Sequence, residues 1–250
     1  MALSPQHDEA KLIEAYFSGR QHRGTMFDVG AHCGSSFKPF LRQGWRVIAL
    51  EPDTTKSQKL ATITDPNFTL LKKAAGETPA DAAQFFTSPE STGIASLLPF
   101  RESHVPAEQV AVTTLAAELA ALGIRSIDYL KIDTEGYDLA VLRGHDWGIR
   151  PEVIMCEFDE LKTRSLGHDY RTLGDLLLSN GYVVWMSQWD PIVRYGGTHT
   201  WRTISRYPAE IQHRDGWGNF VATLPGAPAE AMADVIRPHL VPSPGTPGEG

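Results

Sequence analysis

The chain has 250 residues, enough for one domain and at most two, and 42% of them are hydrophobic, enough for a sizeable buried core. Its 30 acids outnumber its 23 bases, giving a formal net charge of −7 with no basic run, which argues against a nucleic-acid backbone as the main partner. No stretch approaches the roughly 20 apolar residues of a membrane helix, and Met1 to Gln6 lacks the features of a secretory signal. Two cysteines, Cys33 and Cys156, are too few for a disulfide scaffold or a closed thiolate zinc site, so a cytoplasmic globular protein is expected.

In chain order, Ser4 and Pro5 suit a helix start, and Leu12, Ile13, Tyr16 and Phe17 form one apolar stripe within residues 1–24. Strands are predicted at Thr25 to Val29, Trp45 to Leu50 and Phe68 to Lys72, with helices at Ser36 to Arg42 and Thr54 to Ile63 between them. Gly76 to Phe100 reads as irregular, with one short strand at Gln84 to Thr87, and Val110 to Thr113 as another strand. A helix through Leu115 to Leu122 leads to a strand at Ile127 to Ile132, a helix from Asp138, a strand at Val153 to Phe158 and a helix at Arg171 to Asn180. Tyr182 to Met186 and Phe220 to Leu224 are the last two strands. Such alternation implies an α/β fold with a mostly parallel sheet, whose ligands bind beyond the carboxyl ends of the strands. The tail from residue 242 to 250 is Pro- and Gly-rich and is expected to be disordered.

The first strand runs into Asp28-Val-Gly-Ala-His-Cys-Gly34, and the second into Glu51, 17 residues beyond Gly34. Gly30 permits a sharp turn, Gly34 lets a helix begin close to a ligand, and an acid at Glu51 can accept both hydroxyls of a ribose. A dinucleotide loop would carry glycine where His32 stands, and the acid Asp28 would repel a pyrophosphate. Beside an ammonium group, such as the amino end of S-adenosylmethionine, Asp28 is favourable. A plain strand–helix turn without a ligand is the alternative.

A second group of acids follows the later strands, in Lys131-Ile-Asp-Thr-Glu135 and Glu157-Phe-Asp159. If the two strands are neighbours, Asp133, Glu135, Glu157 and Asp159 share one rim. Carboxylates there can serve as a base for a substrate hydroxyl. Asp133, Glu157 and Asp159 can instead hold a hard divalent cation such as Mg²⁺, and Asp133 or Asp159 can simply cap a helix. Lys131 fits a structural ion pair with a strand-end acid. The cysteines read as small buried hydrophobes.

These residues resemble the FkbM-type methyltransferases, class I enzymes that use S-adenosylmethionine. The matching pieces are Phe27-Asp-Val-Gly-Ala-His-Cys-Gly34, Glu51-Pro52, Leu130-Lys-Ile-Asp-Thr-Glu-Gly-Tyr-Asp138, Gly144 and Ile154-Met-Cys-Glu157, with a weaker echo at Gly218-Asn-Phe220. His32 stands where the family usually has Asn, and Asp138 where it usually has Glu. The resemblance implies one Rossmann-like domain over residues 1–241, with seven strands, the last antiparallel, and helices on both faces. It implies that Asp28, Gly30 and Gly34 line the methionine end, together with Ala31, His32 and Ser35. Glu51, beside Pro52, would bind the ribose, Ala74 and Ala75 would lie against the adenine, and Asp133 would also border the cofactor.

The implied reaction is methyl transfer to a hydroxyl of a small-molecule acceptor, a sugar or natural product, with Asp133 or Glu135 orienting or deprotonating it. Residues 187–217 form a long connection rich in Trp, Tyr and His, including Trp189, Tyr195, Trp201 and Trp217. It suits an acceptor ring, sheet cover or a homodimer contact, and its His199 is a further candidate base. The rival functions are an NAD-dependent oxidoreductase and a non-catalytic binding domain that keeps the fold.

Overall fold

The computed structural model describes residues 7–20, 23–195 and 197–240. Helix α1 (Glu9–Phe17) is capped by Asp8, whose carboxylate accepts the Ala10 N–H at 3.0 Å. Ser4 and Pro5, the expected start, lie outside the described residues, as does the tail from residue 242. Leu12, Ile13, Tyr16 and Phe17 are buried, as their helical spacing requires. Then come β1 (Thr25–Val29), α2 (Lys38–Arg42), β2 (Arg46–Leu50), α3 (Thr54–Leu60) and β3 (Phe68–Leu71). Four more strands follow before the next helix: β4 (Ala74–Ala75), β5 (Ala80–Ser88), β6 (Ser91–Ser96) and β7 (Val105–Thr113). The alternation resumes with α4 (Leu115–Ala121), β8 (Tyr129–Ile132), α5 (Asp138–Arg143), β9 (Val153–Asp159), α6 (Glu160–Thr163), α7 (Tyr170–Ser179) and β10 (Val183–Trp189). The last elements are β11 (Trp201–Arg206), β12 (Trp217–Thr223) and α8 (Ala227–Ile236).

The main sheet has the order β11-β10-β12-β9-β8-β1-β2-β3. Strands β3, β2, β1, β8 and β9 are mutually parallel, and β12 is antiparallel to both β9 and β10, as expected of the final strand. Period-2 alternation divides the core between the two faces. Phe27, Val29, Ile48, Leu50, Leu130 and Ile132 pack on one side, and Met26, Val47, Ala49 and Tyr129 on the other. This is the Rossmann-like α/β class expected, with two departures.

The sheet has eight strands rather than seven. The extra one, β11, comes from the 187–217 segment and pairs antiparallel with β10 at the edge. Ile204 is buried there, and Trp201 stacks on His7 at 4.2 Å between ring centroids. Part of the aromatic content therefore covers the sheet. The second departure is a separate sheet of order β4-β7-β5-β6 in the stretch expected to be mostly irregular. Its own apolar cluster is only Ala74, Phe85 and Val110, too small to print a clear period on the sequence. No helix among the described residues is long and apolar enough to cross a membrane.

Candidate active site

Two turns beyond the parallel strands build the floor of a cleft. After β1, the N–H groups of Gly30 and Ala31 both donate to the Leu50 carbonyl, at 3.0 and 3.1 Å, folding the loop over the end of β2. Gly30 has φ +80°, and a Cβ there would lie 1.9 Å from the Asp133 carbonyl oxygen, so only glycine fits. His32 also takes a left-handed φ, of +50°, and its N–H donates to Glu51 Oε2 at 2.7 Å. The other Glu51 oxygen accepts the Asp53 N–H at 2.9 Å. The buried Glu51 carboxylate is thus fixed at the cleft floor beside Pro52. Burial raises its pKa, and the nearby Lys56 opposes that.

Asp28 does not reach the cleft. Its side chain is fully buried and paired with Lys131, Nζ to Oδ1 3.1 Å, and burial raises its pKa against the pull of that ammonium. Lys131 also donates to the Gly30 carbonyl at 3.0 Å and lies 3.5 Å from Asp133 Oδ2. Burial works against the Lys131 charge, but Asp28 and Asp133 outweigh it and hold its pKa above the ordinary value. The lysine is therefore the structural brace the sequence suggested. The carboxylate it leaves at the cleft surface is that of Asp133, 43% exposed.

The cleft is concave and lined by a mix of apolar and polar groups, as small-molecule sites are. Ala74, Ala75 and Phe85 make an apolar end, while Gly93 and Ala95 of β6 and the following Leu97 form a roof. The roof is fastened by polar contacts, among them His32 Nε2 to the Thr92 hydroxyl of β6 at 3.3 Å. On β7, Glu108 accepts the Thr54 N–H at 2.8 Å and also the Thr54 hydroxyl, at the start of α3. On β6, the Ser96 hydroxyl points at the carbonyls of Thr134 and Glu135, at 3.3 and 3.0 Å. The expected residues Gly30, His32, Glu51, Pro52, Ala75 and Asp133 line this cleft together. Ala31 and Gly34 are buried in the loop behind it, Gly34 making room for the Phe37 ring, and Ser35 is exposed.

The pairing of β8 with β9 brings the second acidic group together, because Ile132 lies opposite Cys156. Asp138 ties the two strand ends: one oxygen accepts the Thr134 N–H and hydroxyl, the other the Glu157 N–H at 2.8 Å. Burial pushes Asp138 up to about 6. Glu135 adopts φ +57° and meets the Lys162 ammonium at 2.6 Å. The same Nζ lies 2.8 Å from Glu157 and 3.3 Å from Asp159. Burial pushes Glu135 up to about 7 despite the opposing pull of Lys162, and it raises Glu157 as well. Lys162 itself is held above its ordinary pKa: burial disfavours its charge, and Glu135, Glu157 and Asp159 more than offset that.

This geometry corrects the cation site expected at Asp133, Glu157 and Asp159. The Lys162 ammonium occupies the position a divalent cation would need against Glu157 and Asp159, while Asp133 turns to Lys131. Asp159 caps α6, accepting the N–H groups of Leu161 and Lys162. Asp133, Glu135 and Glu157 do approach one another within 4.8 Å, but Lys162 already holds two of the three. These residues therefore do not fit a resident Mg²⁺, which needs a near-octahedral oxygen shell.

His199 is not brought to the acids; its ring makes an edge contact with Trp217, centroids 5.6 Å apart, and lines neither cleft wall. Cys156 is buried, with its thiol pKa raised by burial, and Cys33 is exposed. Sequence reasoning missed Lys162, Ser96 and Glu108. Only Lys162 left a trace, three residues after Asp159 at the start of a helix.

The model of the FkbM methyltransferase domain matches residues 28–184. The chain belongs to the FkbM methyltransferase family. It is an S-adenosylmethionine-dependent methyltransferase, and the cleft residues suit that cofactor: an exposed carboxylate at Asp133, a fixed carboxylate at Glu51 and an apolar end at Ala74 and Ala75. Among solved structures, the chain is similar to precorrin-6Y C5,15-methyltransferase from Geobacter metallireducens GS-15, with 13% identity, 89% of this chain and 92% of that chain covered, and a TM-score of 0.44. It is similar also to magnesium protoporphyrin IX methyltransferase from Synechocystis PCC 6803 with bound SAH, with 10% identity, coverage of 86% and 80%, and a TM-score of 0.46. No curated protein sequence matches the chain.

Proposed function

We propose that this FkbM-family methyltransferase acts on a hydroxyl oxygen of a small molecule, a sugar or natural product, with Glu135 as the proton acceptor. The observation that carries the reading is the setting of Glu135. It lines the cofactor cleft, its backbone is held by Ser96, and its carboxylate is gripped by Lys162 yet pushed up to about 7. A base poised near neutrality suits removal of a hydroxyl proton as the oxygen is alkylated. S-adenosylmethionine supplies the methyl group on a sulfonium when bound. Asp133 offers that end of the cleft a negative charge, and Glu51 presents hydrogen-bond-accepting oxygens at the other side of the Gly30 turn. The roof lies over the space between them. Alignment then provides most of the acceleration and Glu135 a further ~10²–10⁴-fold.

The test begins with acceptors found by mass spectrometry after incubation with labelled S-adenosylmethionine. Glu135→Gln should lower kcat by about 10²-fold or more and leave the calorimetric affinity for S-adenosylhomocysteine unchanged. Unaltered turnover in that variant removes Glu135 from the chemistry. Methylation confined to nitrogen or carbon acceptors overturns the oxygen assignment.

A further inference from the structure

A second hollow borders the same ion pair as the cofactor cleft. Lys162 lines this hollow, Glu135 lines the cofactor cleft, and the two side chains meet at 2.6 Å. The strand register places Trp217 directly opposite Asp159, so the aromatic segment after β10 is brought against the acidic centre. The walls are ring faces and aliphatic groups from three parts of the chain: Phe100, Leu161, Ile192, Tyr195 and Trp217. The Lys162 ammonium itself lies 5.4 Å from the Phe100 ring centroid.

Among the described residues, every charge lining this hollow has a counter-charge except one. Asp159 is held by Lys162, and Asp215 by Arg164 and Arg214. The Arg101 guanidinium makes no ion pair or hydrogen bond with any described residue; it lies over the Tyr195 ring, 4.9 Å from the centroid. Its backbone is anchored, because the Arg101 N–H donates to Nδ1 of the buried His104, whose Nε2 donates to the Ile94 carbonyl at 2.8 Å. A guanidinium stacked on an aromatic face keeps its planar fork of donors available for an oxyanion.

We propose that this hollow is the acceptor site and that the acceptor is a hydroxylated ring compound bearing an oxyanion, a carboxylate or phosphate, bound by Arg101. The assignment of the hollow to the acceptor rests on the methyltransferase reading above. Aromatic walls take the ring. Arg101 anchors the oxyanion, which leaves the hydroxyl end of the ring free to reach toward Glu135. A neutral acceptor would offer the half-buried guanidinium no counter-charge.

The experiment uses three probes of one shape: 4-hydroxybenzoate, 4-hydroxyphenyl phosphate and the neutral 4-hydroxybenzamide. Each is titrated by calorimetry into the full chain saturated with S-adenosylhomocysteine, as wild type, Arg101→Gln and Arg101→Lys. At least one anionic probe should bind the wild type about tenfold or more tightly than the amide, and the tighter of the two identifies the oxyanion. Arg101→Gln should erase the preference, Arg101→Lys should keep part of it, and neither should alter S-adenosylhomocysteine affinity. Equal binding of amide and anions, a preference that survives Arg101→Gln, or no binding of any probe overturns the proposal. Absence of S-adenosylhomocysteine binding overturns the methyltransferase reading instead, and the same Arg101 comparison on the protein alone still judges the hollow.

Discussion

Replacing Lys162 with Met keeps most of the side-chain length but removes the cation from three carboxylates. The ammonium is buried and lies 2.6, 2.8 and 3.3 Å from Glu135, Glu157 and Asp159. Removing one partner of a buried ionic cluster typically costs about 3–5 kcal/mol. The folded-state pKa of Lys162 is raised, so its contribution is fully present below its ordinary value of 10.5 and constant from pH 5.5 to 8.5. The pH dependence of the variant therefore comes from the acids. Lys162 lowers the pKa of both Glu135 and Glu157, so without it they take up protons more readily and the loss shrinks toward pH 5.5. At pH 8.5 the full loss should appear as a fall in Tm of roughly 6–20 °C for a domain of this size. Thermal melts by circular dichroism at pH 5.5, 7.0 and 8.5 read this directly. Millimolar Ca²⁺ should raise the Tm of the Met variant and not that of the wild type, because the vacated carboxylates then hold an oxygen-seeking cation. A loss of equal size at pH 5.5 and 8.5 would show that packing rather than charge is at stake. No loss at any pH would refute the role given to the ammonium.

Gly30→Ala should weaken S-adenosylhomocysteine binding at least tenfold and destabilise the fold by about 1–3 kcal/mol, since the new Cβ meets the Asp133 carbonyl at 1.9 Å with φ at +80°; calorimetry and urea unfolding check both. Ser96→Ala releases the roof from the Thr134 and Glu135 carbonyls, and the loss of about 1–2 kcal/mol should speed S-adenosylhomocysteine dissociation several-fold in stopped-flow measurements. Glu135 has its folded-state pKa raised from 4.5 to about 7 by burial, so its contribution is present below pH 4.5 and lost as pH rises through 7. That loss amounts to roughly 3 kcal/mol, and urea unfolding of Glu135→Gln should lack this part of the slope between pH 5 and 8.

The parallel part of the main sheet was legible in the sequence because its strands are short apolar runs bounded by turn signals, and β1, β2, β8 and β9 fall where those runs stand. The glycine loop and Glu51 were legible for a different reason: backbone positions that only glycine or a fixed acid can fill leave a spacing behind. Charge partners leave no such mark. Asp28 looked like a cofactor ligand because it opens the loop, yet a strand residue whose side chain points into the sheet must find a buried counter-charge, and Lys131 on β8 supplies it. Lys162 was missed because its one local trace, an acid three residues earlier, stands just as often beside a solvated lysine. The roof was missed because β5 and β6 bury few side chains and the small sheet is held to the body by polar contacts remote in sequence, Glu108 of β7 to Thr54 and Ser96 of β6 to the Thr134 and Glu135 carbonyls.

Those same contacts couple the parts of the site. Ser96 fixes the backbone of Glu135 while Lys162 fixes its carboxylate, so one left-handed residue is held from the cofactor roof on one side and from the second hollow on the other. A left-handed glutamate costs about 1–3 kcal/mol, and it persists only where surrounding contacts over-determine it. Here they come from β6 and from α6, two elements remote in sequence. Movement of the roof alone would leave Glu135 held by Lys162, and filling of the second hollow alone would leave it held by Ser96. In the proposed reaction Glu135 would thus be kept in place through cofactor exchange and through acceptor exchange by different partners, which suits an enzyme with two independently exchanging ligands.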